Sequence, residues 1–104
     1  MQLGLWAPKD PSGLAAYLVG RNLVGRGFYE DGASLLDAAL EGNLPTRRVA
    51  RETLRQRVVA ACALGDQAAL TRAKTRIENA QSPFNGAAGG RREATLSMIA
   101  RCTR

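Results

Sequence analysis

The sequence predicts an all-α fold, and three observations carry that prediction. The 45% hydrophobic content is built from Leu, Val and Ala, with only 5% aromatic residues, and Ala and Leu without β-branched runs favour helices. Apolar residues recur three and four apart, and no stretch alternates as a half-buried strand does. Glycines at 27, 42 and 65 punctuate the stripes, as helix ends require. At 104 residues the chain has the size of one small domain, without room for a second core.

Residues 1–10 (MQLGLWAPKD) read as an irregular lead-in, with Leu5 and Trp6 packed on the first helix. Residues 11–104 form a single helical domain. Asp10-Pro11-Ser12 places a polar cap and a proline at a helix start, so the first helix is expected from Pro11 to Arg26, where Gly27 breaks it. Its apolar stripe is Leu14, Tyr17, Leu18, Leu23 and Val24, with Gly20 as a notch for close approach. The second helix runs from Tyr29 to Glu41 and turns Leu35, Leu36, Ala39 and Leu40 inward. Glu30 and Asp31 suit its first turn through the helix dipole. Gly42 is expected as its left-handed cap, and Asn43-Leu44-Pro45 prevents continuation.

Thr46 caps the third and longest helix, Arg47 to Leu64, whose apolar positions are Ala50, Leu54, Val58, Ala61 and Cys62. Gly65 stops it and Asp66 caps a fourth helix, Gln67 to Ala80, with Leu70, Ala73 and Ile77 inward. Residues 81–90 (QSPFNGAAGG) read as a loop ending in a glycine-rich linker. A last helix, Arg91 to Cys102, presents Leu96, Met98 and Ile99. Short glycine-containing turns make consecutive helices antiparallel. The architecture is two hairpins and a terminal helix.

Charge and cysteine narrow the function. The net charge of +6 is uneven: residues 1–45 hold three basic and five acidic residues, residues 46–104 twelve and four. Such a basic half suits nucleic acid or an acidic protein partner. Histidine is absent, which removes the commonest general base and metal ligand. The serines have no histidine partner, and residues 86–90 lack the Lys-Ser/Thr of a phosphate loop. No enzyme, cofactor or metal site is expected. Cys62 and Cys102 lie in no CxxC or metal motif and read as buried free thiols. No apolar run is long enough to span a membrane and residues 1–8 do not resemble a secretory signal, so a cytoplasmic protein is expected.

The first hairpin carries a further pattern. A tetratricopeptide repeat asks for W-x2-L-G-x2-Y, then a small residue, an aromatic and a proline. Ala16 stands in the Trp slot, Val19 and Gly20 in the Leu-Gly slots and Leu23 in the Tyr slot. Gly32 takes the small position, Leu36 the Phe position and Ala39 the next small one, and Pro45 falls one residue late. Gly20 and Gly32 would then face each other where the helices cross. In the second hairpin Leu54 takes the Trp slot and Leu70 the small slot, while Val58 replaces the contact glycine and Lys74 the aromatic. Pro83 lies at the closing position. The chain thus resembles a tetratricopeptide protein over about residues 13–83, and the last helix takes the place of the capping helix of such arrays.

More narrowly, its small size, the hairpin Leu23 to Leu40, the second hairpin around Ala60–Leu70 and the Ser-Pro break at 82–83 are similar to the needle-subunit chaperones of type III secretion. That resemblance implies a cytoplasmic chaperone, in a hetero-oligomer, holding an amphipathic helix of its client. In either reading, two stacked hairpins form a shallow superhelix whose inner face receives the partner. The first helix of each pair builds that face: Tyr17, Arg21 and Val24, then Leu54, Arg57, Val58 and Ala61. The competing expectation is a small basic nucleic-acid-associated or phage-type regulatory protein. It would use Arg47, Arg51 and Arg55, which four-residue spacing sets on one helix face.

Overall fold

Five helices, with no strand among them, occupy the described residues, which are 12–86 and 90–103 of the computed structural model. Helix α1 spans Leu14–Gly25. It begins three residues later than the Pro11 start expected from the sequence, on Gly13 at φ 78° with the Ser12 hydroxyl accepting from the Leu14 N–H at 3.1 Å. Asp10 and Pro11, with the Leu5–Trp6 pair, lie outside the described residues. At its other end Gly27, at φ 85°, lets the Phe28 N–H reach the Leu23 carbonyl at 2.9 Å and its own N–H reach Val24 at 3.0 Å. Two otherwise orphaned carbonyls are satisfied by that turn.

Helix α2 spans Tyr29–Glu41 and holds Glu30 and Asp31 in its first turn. The two glycines expected at its crossing with α1 do meet there: a Cβ on Gly32 would lie 2.7 Å from Val24 Cγ2 and 3.1 Å from the Gly20 carbonyl oxygen. Gly42 is not a left-handed cap. Its backbone is extended, at φ −84° and ψ −176°, and a Cβ there would come within 2.8 Å of the Gly13 nitrogen. The glycine is needed because the end of α2 abuts the start of α1, not for positive φ.

Helix α3, Arg47–Leu64, is capped by Thr46, whose hydroxyl accepts from the Val49 N–H at 3.1 Å. Gly65, at φ 66°, closes it, and Asp66 then accepts from the Ala69 N–H at 3.1 Å to start α4, Gln67–Glu78. That helix stops before Ala80 because Asn79 is extended and its carbonyl and side chain bond the following turn. Helix α5, Arg91–Cys102, starts at Gly90 and buries Thr95 and Ile99.

The helices pack in sequence order, and α3 touches all four of the others. One apolar cluster lies between α1 and α2 and is closed by Ala60 of α3. A second joins Leu54, Val58 and Ala61 of α3 to Leu70, Ala73 and Ile77 of α4 and Ile99 of α5. Phe84 completes this second cluster at 3% exposure, so the loop read as 81–90 anchors a core side chain, with buried Ser82 turning it through a bond from the Phe84 N–H at 3.1 Å.

The cysteines are not free thiols. Cys62 and Cys102 form a disulfide, with Cα atoms 5.4 Å apart. Nothing local to either residue specifies the pair; α5 returns beside the C-terminal half of α3 and brings them together. Cross-linking residues 40 apart in sequence removes about 4 kcal/mol of loop-closure entropy from the unfolded chain on the chain-entropy account. No helix among the described residues is long and apolar enough to cross a membrane.

Candidate functional site

The N-terminal half of α3 carries a run of arginines on its turns. Arg47 lines a separate cavity beside Leu44 and Pro83, while Arg48, Arg51 and Arg55 face a groove of about 700 Å³ lined by α1, α3 and α5. Leu14, Tyr17, Val49, Phe84 and Thr95 line it together with the half-exposed Leu18. Arg21, Arg48, Arg51, Arg55 and Arg91 stand around it, against Glu52 as the one carboxylate among the described lining residues. The groove is therefore apolar within and cationic at its edges.

Several of these groups are held in place. The Arg21 guanidinium lies 5.5 Å from the centre of the Tyr17 ring and donates to the Tyr17 hydroxyl at 3.3 Å. This cation–π pair spans one turn of α1 and orients the two side chains on the same face. Glu52 accepts from Arg55 Nε at 3.0 Å and Nη2 at 2.7 Å, and from Gln56 at 3.0 Å. The Arg55 hydrogen bonds hold the Glu52 carboxyl below its ordinary value against the opposing effect of burial, with Gln56 and the charges of Arg55 and Arg21 adding to them. The same pairing raises the Arg55 pKa further. The Arg21 charge on α1 is the smallest of these contributions. Spacing alone would have joined Glu52 to Arg48; the structure pairs it with Arg55 instead.

The Arg47–Arg51–Arg55 row is divided. Arg47 Nη1 donates to the Asn85 carbonyl at 3.2 Å and Arg51 Nη1 to the Pro83 carbonyl at 3.1 Å, so two of the three guanidiniums hold the Phe84 turn. Arg51 Nε is buried without a hydrogen-bond partner. Arg48 and Arg91 are exposed, and their guanidiniums bond no described residue.

Of the residues the sequence places on a partner face, only Tyr17 and Arg21 line the groove. Val24 is buried against Gly32. Leu54, Val58 and Ala61 are 2% exposed or less and belong to the second core cluster, because α3 is surrounded and that face meets α4 and α5. Arg57 lies on yet another side of α3, its side chain 8% exposed and its Nε 2.7 Å from Asp37 Oδ1; Asp66 is 3.9 Å from its Nη2. The groove residues that sequence reasoning passes over are Leu18, Arg48, Val49, Phe84, Arg91 and Thr95. Their one legible signal is on α3, where Arg48, Glu52 and Arg55 stand at spacings of four and three.

The arrangement can present guanidiniums to carboxylates or phosphates while apolar side chains enter between them. Among the described residues no group of three or more Cys, Asp and Glu is placed to hold a metal ion. Comparison of the chain with protein-family models, with curated proteins and with solved structures finds no match.

Proposed function

We propose that this chain is a protein-binding helical module of tetratricopeptide type that acts as a small chaperone, holding an acidic amphipathic helix of a client in the α1–α3–α5 groove. The observation that carries the reading is the lining of that groove, apolar within and ringed by five arginines against one carboxylate. An amphipathic helix lays its apolar stripe into such a groove, and carboxylates flanking the stripe meet the guanidiniums. The groove, not the Leu54–Val58 face, is the surface this proposal assigns. The resemblance to needle-subunit chaperones makes the C-terminal helix of a type III needle subunit its specific client, held in a cytoplasmic hetero-complex.

Fluorescence anisotropy of a labelled synthetic peptide, Leu on one helical face and Glu beside it, tests the reading. The peptide should bind, keep most of its affinity in high salt, and lose at least about tenfold in the double variant Arg48→Glu/Arg91→Glu, a change of about 1.4 kcal/mol. Both arginines are exposed, so the fold should survive. A peptide that fails to bind overturns the reading. Binding of a labelled oligonucleotide that falls steeply with salt would instead assign the arginines to phosphates, as the competing expectation for Arg47, Arg51 and Arg55 requires.

A further inference from the structure

We infer that the Cys62–Cys102 disulfide is a redox latch on the groove: oxidised, it holds α5 in place as the third wall, and reduced, it releases that wall. The functional half of this inference rests on the groove being the partner site.

The wall and the latch are on the same short helix. Arg91, Ala94 and Thr95, in the first half of α5, line the groove, and Cys102 is its last residue. Apart from the disulfide, α5 is lightly held. Only Thr95 and Ile99 are fully buried on it, with Leu96 and Met98 partly buried against the second cluster, and a polar tie runs to α4 from Gln67 Nε2 to the Cys102 carbonyl at 3.0 Å. Among the described residues the ion pairs between different elements are made elsewhere: Arg57 with Asp37 and Asp66, and Arg76 with Glu41. The helix has 12 residues and no side-chain cap at Gly90, and an isolated helix of that length is marginal in water. Helices α1 and α2, by contrast, interlock through Gly20, Gly32, Val24 and Leu36.

Both cysteines are half-buried, within reach of a small reductant. A thiolate of a dithiol attacks one sulfur and forms a mixed disulfide while the other cysteine leaves as a thiolate. The second thiol of the reductant then displaces the first cysteine. The S–S bond gains two electrons and two protons to give two thiols, and the dithiol leaves as its cyclic disulfide. Where thiols are kept reduced, as in the cytosol, the released wall is the resting state with the weaker client affinity, and oxidation is the signal that closes the groove on its client.

Hydrogen exchange and peptide anisotropy on the same oxidised and dithiothreitol-reduced samples test the latch, with Cys62→Ala/Cys102→Ala as a reductant-insensitive control. Reduction should speed exchange of the α5 amides at least about tenfold, leave the α1 and α2 amides as they were, and weaken the Leu/Glu peptide at least about fivefold. The double variant should match the reduced protein with or without dithiothreitol. The unchanged α1–α2 amides certify that the fold survives in each sample. Equal protection of α5 in both forms overturns the latch, and if the oxidised protein still binds the peptide the groove reading stands alone. Loosened α5 with equal peptide affinity overturns the control of the site. Loosened α5 with no binding by either form overturns the groove reading, and the functional half of the latch with it.

Discussion

At Gly32 a single methyl group decides how closely two helices can lie. A Cβ there would stand 2.7 Å from Val24 Cγ2 and 3.1 Å from the Val24 nitrogen, and the backbone cannot yield without separating α1 from α2. Gly25 has nothing within 4 Å of the same position. Gly32→Ala should therefore cost about 1–2 kcal/mol, the overpacking penalty less the gain in helix propensity. Gly25→Ala should add about 0.5–1 kcal/mol by restricting the unfolded chain, and urea melts of the two variants should move in opposite directions. Glu52 supplies a second prediction at this scale. Its carboxyl is held below the ordinary 4.5 chiefly by Arg55, so in the fold it prefers the charged form. The stability it contributes is present above that ordinary value and is lost as the pH falls through its lower folded value. Thermal melts between neutral pH and about pH 3 should show a shallower acid loss in Glu52→Gln than in the wild type.

Among the elements, the turn after α4 departs most from its sequence. Residues 81–86 contain Pro, Asn and Gly and read as connection, yet Phe84 within them is as buried as Ile99. Arg47 and Arg51 reach across from α3 to bond the carbonyls on either side of it. Two arginines whose spacing resembles an anion-binding row are thereby spent in part on holding a turn. Phe84→Ala should cost about 3–4 kcal/mol, in the range of other buried aromatic truncations. Denaturant unfolding would read that cost, and a loss below about 1 kcal/mol would show that the turn is not part of the core. Helix α3 illustrates the same point differently. Its Leu54, Val58 and Ala61 were legible as one apolar face, but a face does not say whether it meets a neighbouring helix or a partner. Four helices around α3 give the answer.

For the molecule as a whole, the two apolar clusters meet at α3, and the groove is lined by α1, α3 and α5. A client helix seated there would bridge both clusters and stabilise the folded state by mass action. At a hundredfold excess over its dissociation constant the Leu/Glu peptide should add about 2.7 kcal/mol. Calorimetry should show the melting temperature rising with peptide concentration in the wild type and rising by about half as much or less in Arg48→Glu/Arg91→Glu. The charge asymmetry seen in the sequence becomes spatial at this scale. Glu30, Asp37 and Asp66 gather around Arg57 beside Leu64, while the arginine-rich groove lies between α1, α3 and α5.

The sequence by itself determined the helices and most of their ends, because caps and glycine turns act within about four residues of chain. Thr46 and Asp66 cap α3 and α4, and Gly27 and Gly65 close α1 and α3. The Gly20–Gly32 crossing was legible too, since a short turn allows one antiparallel alignment of two adjacent helices. What only the tertiary structure decided depends on segments distant in sequence: the extended Gly42 against Gly13, the Cys62–Cys102 bond, the burial of Phe84 and the division of the arginine row. The groove belongs with these. It is a space between α1, α3 and α5, and periodicity along one helix records which residues share a face but not what stands opposite that face.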